Sequence, residues 1–226
     1  MSKRLQLEAS QVQKRIEFGD PYWPAQLAIA VTILLSLTHV ERVTVGPNWL
    51  LASIEGVMLA VLIVITPMRA TEHSVARQRL ALALVGVVSL ANIVSLGLLA
   101  DSLINGAQQD GRKLILSGLV LWATYVLLFA VFYWELDRGG PAARFLGQHE
   151  LADFQFPQME NPQLASAGWA PGFGDYLYTS LTNAMAFSPT DTMPLTHTAK
   201  AAMGTQAAAA MLTIGLIVAR AVNILG

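Results

Sequence analysis

The residues best suited to chemistry lie between Tyr176 and Thr196, where Ser180, Thr182 and Asn183 sit in an apolar segment followed by Ser188-Pro189-Thr190-Asp191. If four copies meet, Asp191 forms a ring of carboxylates that favours cations and the hydroxyls of Ser188 and Thr190 can replace water ligands; if they do not, Asp191 caps a turn. Enzymatic alternatives lack their parts. HExxH, GxSxG and GxxxxGK[ST] are absent, and His39, His73, His149 and His197 are scattered. With no cysteine, disulfides, thiolate catalysis and Cys-ligated metals are excluded. No catalytic residue, metal site or cofactor is expected.

The ungapped run from Tyr176 to Thr196 resembles the pore helix, filter and exit turn of potassium channels. Leu177 and Ser180 fall at pore-helix positions, Asp191 at the acid closing the filter, Pro194 and Thr196 at the turn into the inner helix, and Lys200 at a frequent basic position. The resemblance implies an ion path through Thr182, Ala186, Phe187, Ser188, Pro189, Thr190 and Asp191. One departure matters. The family's Thr-Val-Gly-Tyr-Gly is replaced by Ala186-Phe187-Ser188-Pro189-Thr190, so neither filter glycine is present. Ser188 and Thr190 would adopt the required backbone angles only with strain, and Pro189 lacks a donor N–H. Any conduction is therefore expected to be less selective, or to pass partly hydrated ions.

The chain is also similar to uncharacterised bacterial membrane proteins that share a Phe-x-x-x-Asp-Thr loop after a Phe-Pro-containing acidic linker. The matching elements are Asp153-Phe154-Gln155-Phe156-Pro157, Phe187 to Thr192, and Ala219-Arg220-Ala221-Val222-Asn223. That similarity covers roughly the last third, and implies residence in a bacterial inner membrane.

The elements that must position these residues follow from composition. Of 226 residues, 54% are hydrophobic and 13% charged, too little polar surface to clothe a soluble globule. A net charge of −1 removes the basic footprint of a nucleic-acid binder. A helix needs about 20 apolar residues to cross a hydrocarbon core of about 30 Å. Five runs qualify: Trp23 to Val40, Trp49 to Pro67, Leu80 to Ala100, Leu114 to Leu136, and Ala199 to Leu225. The apolar segment Tyr176 to Phe187, with Asp175 as its predicted N-cap and Ser188-Pro189 as its end, is too short to cross. Broken backbone at membrane depth is tolerated only against protein or water, so this segment either lines a path or lies as an interfacial helix over the bundle's end.

Isolated polar and small residues carry further expectations. Glu55 is an acid inside the second run, which marks function by default unless it ties helices near the interface, opposite His39 or Arg42. Regularly spaced arginines are missing from the first four runs, which argues against strong voltage gating. Ala201, Gly204, Ala207, Ala208 and Gly215 give the last run a small-residue surface. That surface either surrounds an oligomer axis, with Gly204 or Gly215 as hinge, or packs within one subunit.

The side shared by the amino end and the loop carries Lys3, Arg4, Lys14, Arg15, Arg69, Arg77, Arg79, Arg138 and Arg144. Positive-inside bias then puts the loop in the cytoplasm, opposite to potassium channels.

The expected fold is an all-α integral membrane protein with five transmembrane helices plus a re-entrant pore half-helix and loop. Residues 1–22 form a basic, amphipathic segment and 23–113 a three-helix membrane region. Residues 114–226 form a pore-like domain with outer helix 114–136, linker 137–174, pore helix and loop 175–196, and inner helix 197–225. The expected activity is passage of small ions, cations favoured, by a homo-oligomer, with a tetramer preferred. The alternative is a secondary transporter or non-conducting membrane protein retaining the pore fold.

Overall fold

Apolar runs with no water to satisfy their peptides fold as helices, because only a helix pairs every backbone donor within its own segment. The computed structural model is mostly helical. It describes residues 22–38, 75–104, 111–146, 151–166, 169–185 and 191–225, with six scattered positions between 53 and 64. The long elements are α1 (Trp23–Thr38), α2 (Val75–Ile104) and α3 (Gly111–Leu136). A one-turn 3₁₀ segment (Asp137–Gly139) and α4 (Pro141–Leu146) lead to strand β1 (Phe154–Gln155), then α5 (Pro157–Glu160). The 12-residue α6 (Phe173–Ala184) and strand β2 (Met193–Pro194) precede the last helix, α7 (His197–Leu225).

Among the described residues, three helices are long and apolar enough to cross a membrane: Val75–Leu98, Ile115–Gly139 and His197–Ala219; α1 contributes a shorter apolar stretch. The second predicted run, Trp49 to Pro67, falls mostly outside the described residues, and Glu55 with it. α2 begins five residues before the predicted Leu80, since Val75 to Arg79 continue the helix and carry Arg77 into the protein.

Five chain ends meet at one end of the bundle. Tyr22, just before α1, stacks edge-on against Trp134 of α3 at 5.1 Å, and the Arg77 guanidinium of α2 lies 5.2 Å from the Tyr22 ring. Trp134 also meets Phe173 at the start of α6, and Thr196, just before α7, is tied to the linker that follows α3. Hence α1, α2 and α7 run in one direction and α3 runs against them. α3 is the spine of the bundle, with 50% of its apolar stretch buried against 28% for α7.

The predicted linker, 137–174, carries secondary structure over its described residues. It is a folded cap, because α3 ends in a turn with three successive left-handed residues, Arg138 (φ 52), Gly139 (φ 79) and Gly140 (φ 92). Gly140 is required there. A Cβ at that position would lie 3.2 Å from both the backbone oxygen and Oε2 of Glu135, besides needing a positive φ. The turn sends Phe154–Gln155 back to pair antiparallel with Met193–Pro194, Phe154 opposite Pro194 and Gln155 opposite Met193.

Candidate functional site

The half-length helix α6 packs between α3 and α7, and polar contacts hold it at three levels. At the entry level the Tyr176 hydroxyl donates to Asp137 Oδ2 at 2.5 Å. In the middle Ser180 Oγ donates to the carbonyl of Val126 at 2.7 Å. At the tip Trp122 Nε1 donates to the carbonyl of Ala184 at 3.2 Å. Trp122 lies 14 residues before Leu136, the end of α3, about 21 Å along the helix at about 1.5 Å per residue. The chain returns to the entry level beyond the tip: the hydroxyls of Thr192 and Thr179 share a 3.0 Å hydrogen bond, and Leu195 N donates to the carbonyl of Asp153 at 2.8 Å.

The start of α6 corrects the predicted cap. Gly172 is the N-cap and Asp175 stands at the third helical position, where its Oδ2 accepts from Gly172 N at 2.8 Å. A carboxylate in the first turn meets the unpaired N–H groups and the positive end of the helix dipole wherever it sits in that turn, so sequence alone places such an acid only to within a few residues.

Between α6 and α7 the centre is Gln206, which is fully buried. Its Oε1 accepts from Tyr133 OH at 2.5 Å and from Asn183 Nδ2 at 2.8 Å. Its Nε2 donates to the carbonyl of Ser180 at 3.0 Å and to Ser180 Oγ at 2.7 Å. Asn183 Nδ2 also donates to the carbonyl of Met203 at 3.0 Å. One side chain therefore links α3, α6 and α7 at mid-helix. The orientation of its amide is unambiguous, because the Ser180 carbonyl can only accept.

At the entry level Asp137 is fully buried and accepts, besides Tyr176, the backbone N–H groups of Asp153 at 2.8 Å and Phe154 at 3.3 Å. Asp153 in turn accepts from Arg138 N at 3.0 Å and from the Thr196 hydroxyl at 2.7 Å, while Thr196 Oγ1 caps α7 by accepting from Ala199 N at 3.2 Å. Arg144 Nη1 closes the end of α3, donating to the carbonyls of Trp134 at 2.6 Å and Asp137 at 2.7 Å, and its guanidinium lies 5.0 Å from the Tyr176 ring. Burial pushes the Tyr176 phenol well above its ordinary range; Arg144 opposes that shift and the Asp137 carboxylate adds to it. The phenol is therefore a proton donor at any physiological pH.

Of the residues predicted to form the ion path, Thr182 and Asp191 are described; Ala186, Phe187, Ser188, Pro189 and Thr190 lie outside the described residues. Thr182 is half-buried on α6 and its hydroxyl bonds back to the carbonyls of Tyr178 at 2.9 Å and Thr179 at 3.1 Å. Asp191 is exposed beside the buried Thr192. Gly204 and Gly215 are exposed on α7, and a Cβ at either would meet nothing within 4 Å. Neither glycine is a close-approach point among the described residues. Gly118 of α3 is: a Cβ there would lie 2.6 Å from Cγ1 of Ile217 on α7.

Sequence reasoning missed the groups that hold the site together. It gives Asp137 only as the first residue of the linker and does not single out Tyr133, Glu135 or Gln206. A signal was present, because a long amide such as Gln206 in an alanine-rich apolar run must find partners or suffer the cost of an unmet polar group. His197 and Lys200 are exposed at the start of α7. Among the described residues no group of three His, Cys, Asp or Glu could hold a metal ion. A scan against protein-family models, a search of curated proteins and a search of solved structures each find no match to this chain.

Proposed function

We propose that the chain is a multi-pass membrane protein whose oligomer, with a tetramer favoured, lets small ions cross the bilayer and prefers cations. In this reading α6 is a re-entrant half-helix, α3 and α7 are the outer and inner helices of a potassium-channel-like pore unit, and residues 186–191 face the path. The carrying observation is the round trip of the chain: Tyr176 beside Asp137, Ala184 beside Trp122, and Thr192 back beside Thr179. A chain that turns back this far along an apolar helix must meet protein or water there. The carboxyl end of α6, the negative end of its helix dipole, favours a cation at the tip.

Chain direction supports a five-span topology. Because α1 and α2 both begin at the same end, a crossing between them would return the chain to that end, and Trp49 to Pro67 is the run apolar enough to supply it. The missing glycines argue for a path that leaves ions partly hydrated.

Reconstitution into vesicles with ion-flux assays tests the reading. Cation flux that exceeds anion flux, with the preference reduced by Asp191→Asn, is the expected result. An absence of flux for every small ion, from a monodisperse monomer, would transfer the chain to the non-conducting or transporter class.

A further inference from the structure

We infer that Gln206 is the positioning residue of the ion path, setting the depth and rotation of α6 relative to α7. The inference rests on the reading of α6 as the element that holds the path. Small side chains dominate the buried face of α7 around Gln206, with Ala199, Ala209 and Ala210 among its most buried residues. Alanine against helix permits close approach but offers few protrusions to lock one register, so neighbouring registers differ little in packing energy. A polar residue with one satisfying arrangement removes that degeneracy, as single buried polar side chains do in coiled coils.

Gln206 has such an arrangement. Two donors reach its oxygen and two acceptors meet its nitrogen, all between 2.5 and 3.0 Å. Moving α6 by one residue would take Ser180 and Asn183 off the amide together, leaving polar groups unmet in an apolar interior. Ser180 and Asn183 lie within one turn of Ala184 and the tip of α6. The tip of α6 therefore inherits its position from Gln206. Movement of α7 would be passed to the path through the same side chain.

The absence of native cysteine makes the test clean. A spin label on Met185→Cys, at the half-exposed tip of α6, reports depth through its relative collision rates with oxygen and with a water-soluble nickel chelate in vesicles. Gln206→Met keeps length without hydrogen bonding and is expected to change that ratio several-fold. Gln206→Glu is the chemical control: its neutral form can donate to Ser180 and its ionised form cannot, so label depth should match the wild type at low pH and depart from it as pH rises. A pH-dependent depth is not expected of a residue that merely fills space. Should Gln206→Met fail to assemble, Tyr133→Phe and Asn183→Ala each remove one donor and carry the same comparison. Unchanged label depth in folded Gln206→Met, together with a pH-independent Gln206→Glu, would overturn the inference. Because depth is read without flux, a wild-type protein that passes no ions would defeat the channel reading and leave the positioning result standing on its own.

Discussion

Arg77 and Glu135 form a bidentate ion pair, Nη1 to Oε1 at 3.0 Å and Nη2 to Oε2 at 3.2 Å, across the first turn of α2 and the last turn of α3. The Arg77 and Glu135 side chains are 10% and 4% exposed. Gln78 Nε2 adds a 2.8 Å bond to the Glu135 carbonyl, so the end of α3 is gripped from the α2 side just as Asp137 grips it from the α6 side. Two acids a single residue apart thus join the amino-terminal helices to the half-helix.

Breaking one half of that pair leaves a buried charge without its counter-ion, at a cost of about 3–5 kcal/mol. Glu135→Gln and Arg77→Met are each expected to lower the thermal midpoint in detergent sharply. The double change Arg77→Met/Glu135→Leu, which removes both charges, should recover most of the loss. A double variant as unstable as the singles would show that the pair contributes through something other than charge compensation.

The α3–α7 contact should be sensitive to a single methyl. Gly118→Ala puts a Cβ against Ile217, and overpacking of this kind costs about 1–3 kcal/mol. Gly118→Ala/Ile217→Ala, which removes both Cγ1 and Cδ1, should cost less than the two single changes added together, whereas Gly204→Ala, with open space around it, should leave monomer stability nearly unchanged. Thermal melts of the wild type and these variants decide the ranking.

Tyr176 predicts an alkaline limit. Its phenol is held neutral in the folded chain while an unfolded tyrosine ionises near 10.0. Because the folded pKa is raised, this group's contribution is fully present below pH 10.0 and is lost as pH climbs from there toward the folded value, at about 1.4 kcal/mol per pH unit. Tyr176→Phe should cost about 1–3 kcal/mol at neutral pH, since Asp137 loses a donor, and should flatten the alkaline fall by that one proton. Stability measured from pH 7 to 11 separates the two effects.

Membrane orientation is open to a labelling test. The positive-inside count of the amino-end side includes Arg77 and Arg144, yet Arg77 is paired with Glu135 and Arg144 holds helix carbonyls, so neither is a free charge for lipid headgroups. The bias toward a cytoplasmic loop is correspondingly weaker than the sequence count. Leu151→Cys, at a position 86% exposed in the linker, is expected to escape an impermeant thiol reagent in sealed cells if the bias holds. Rapid labelling would place the linker outside.

Local patterns in the sequence were sufficient for the three long apolar helices and for a short helix where α6 lies, since helix formation in an apolar run depends on neighbours a turn away. They also carried the expectation of ion coordination, which rests on the hydroxyls and the acid between Tyr176 and Thr196. The pairings were decided elsewhere. Glu135 meets Arg77 across 58 residues, Tyr176 meets Asp137 across 39, and Tyr133 meets Gln206 across 73. No periodicity connects positions so far apart. An acid at the end of an apolar run looks the same in sequence whether it faces water or an arginine, and only the packing of α2, α3, α6 and α7 brings the partner within hydrogen-bond reach.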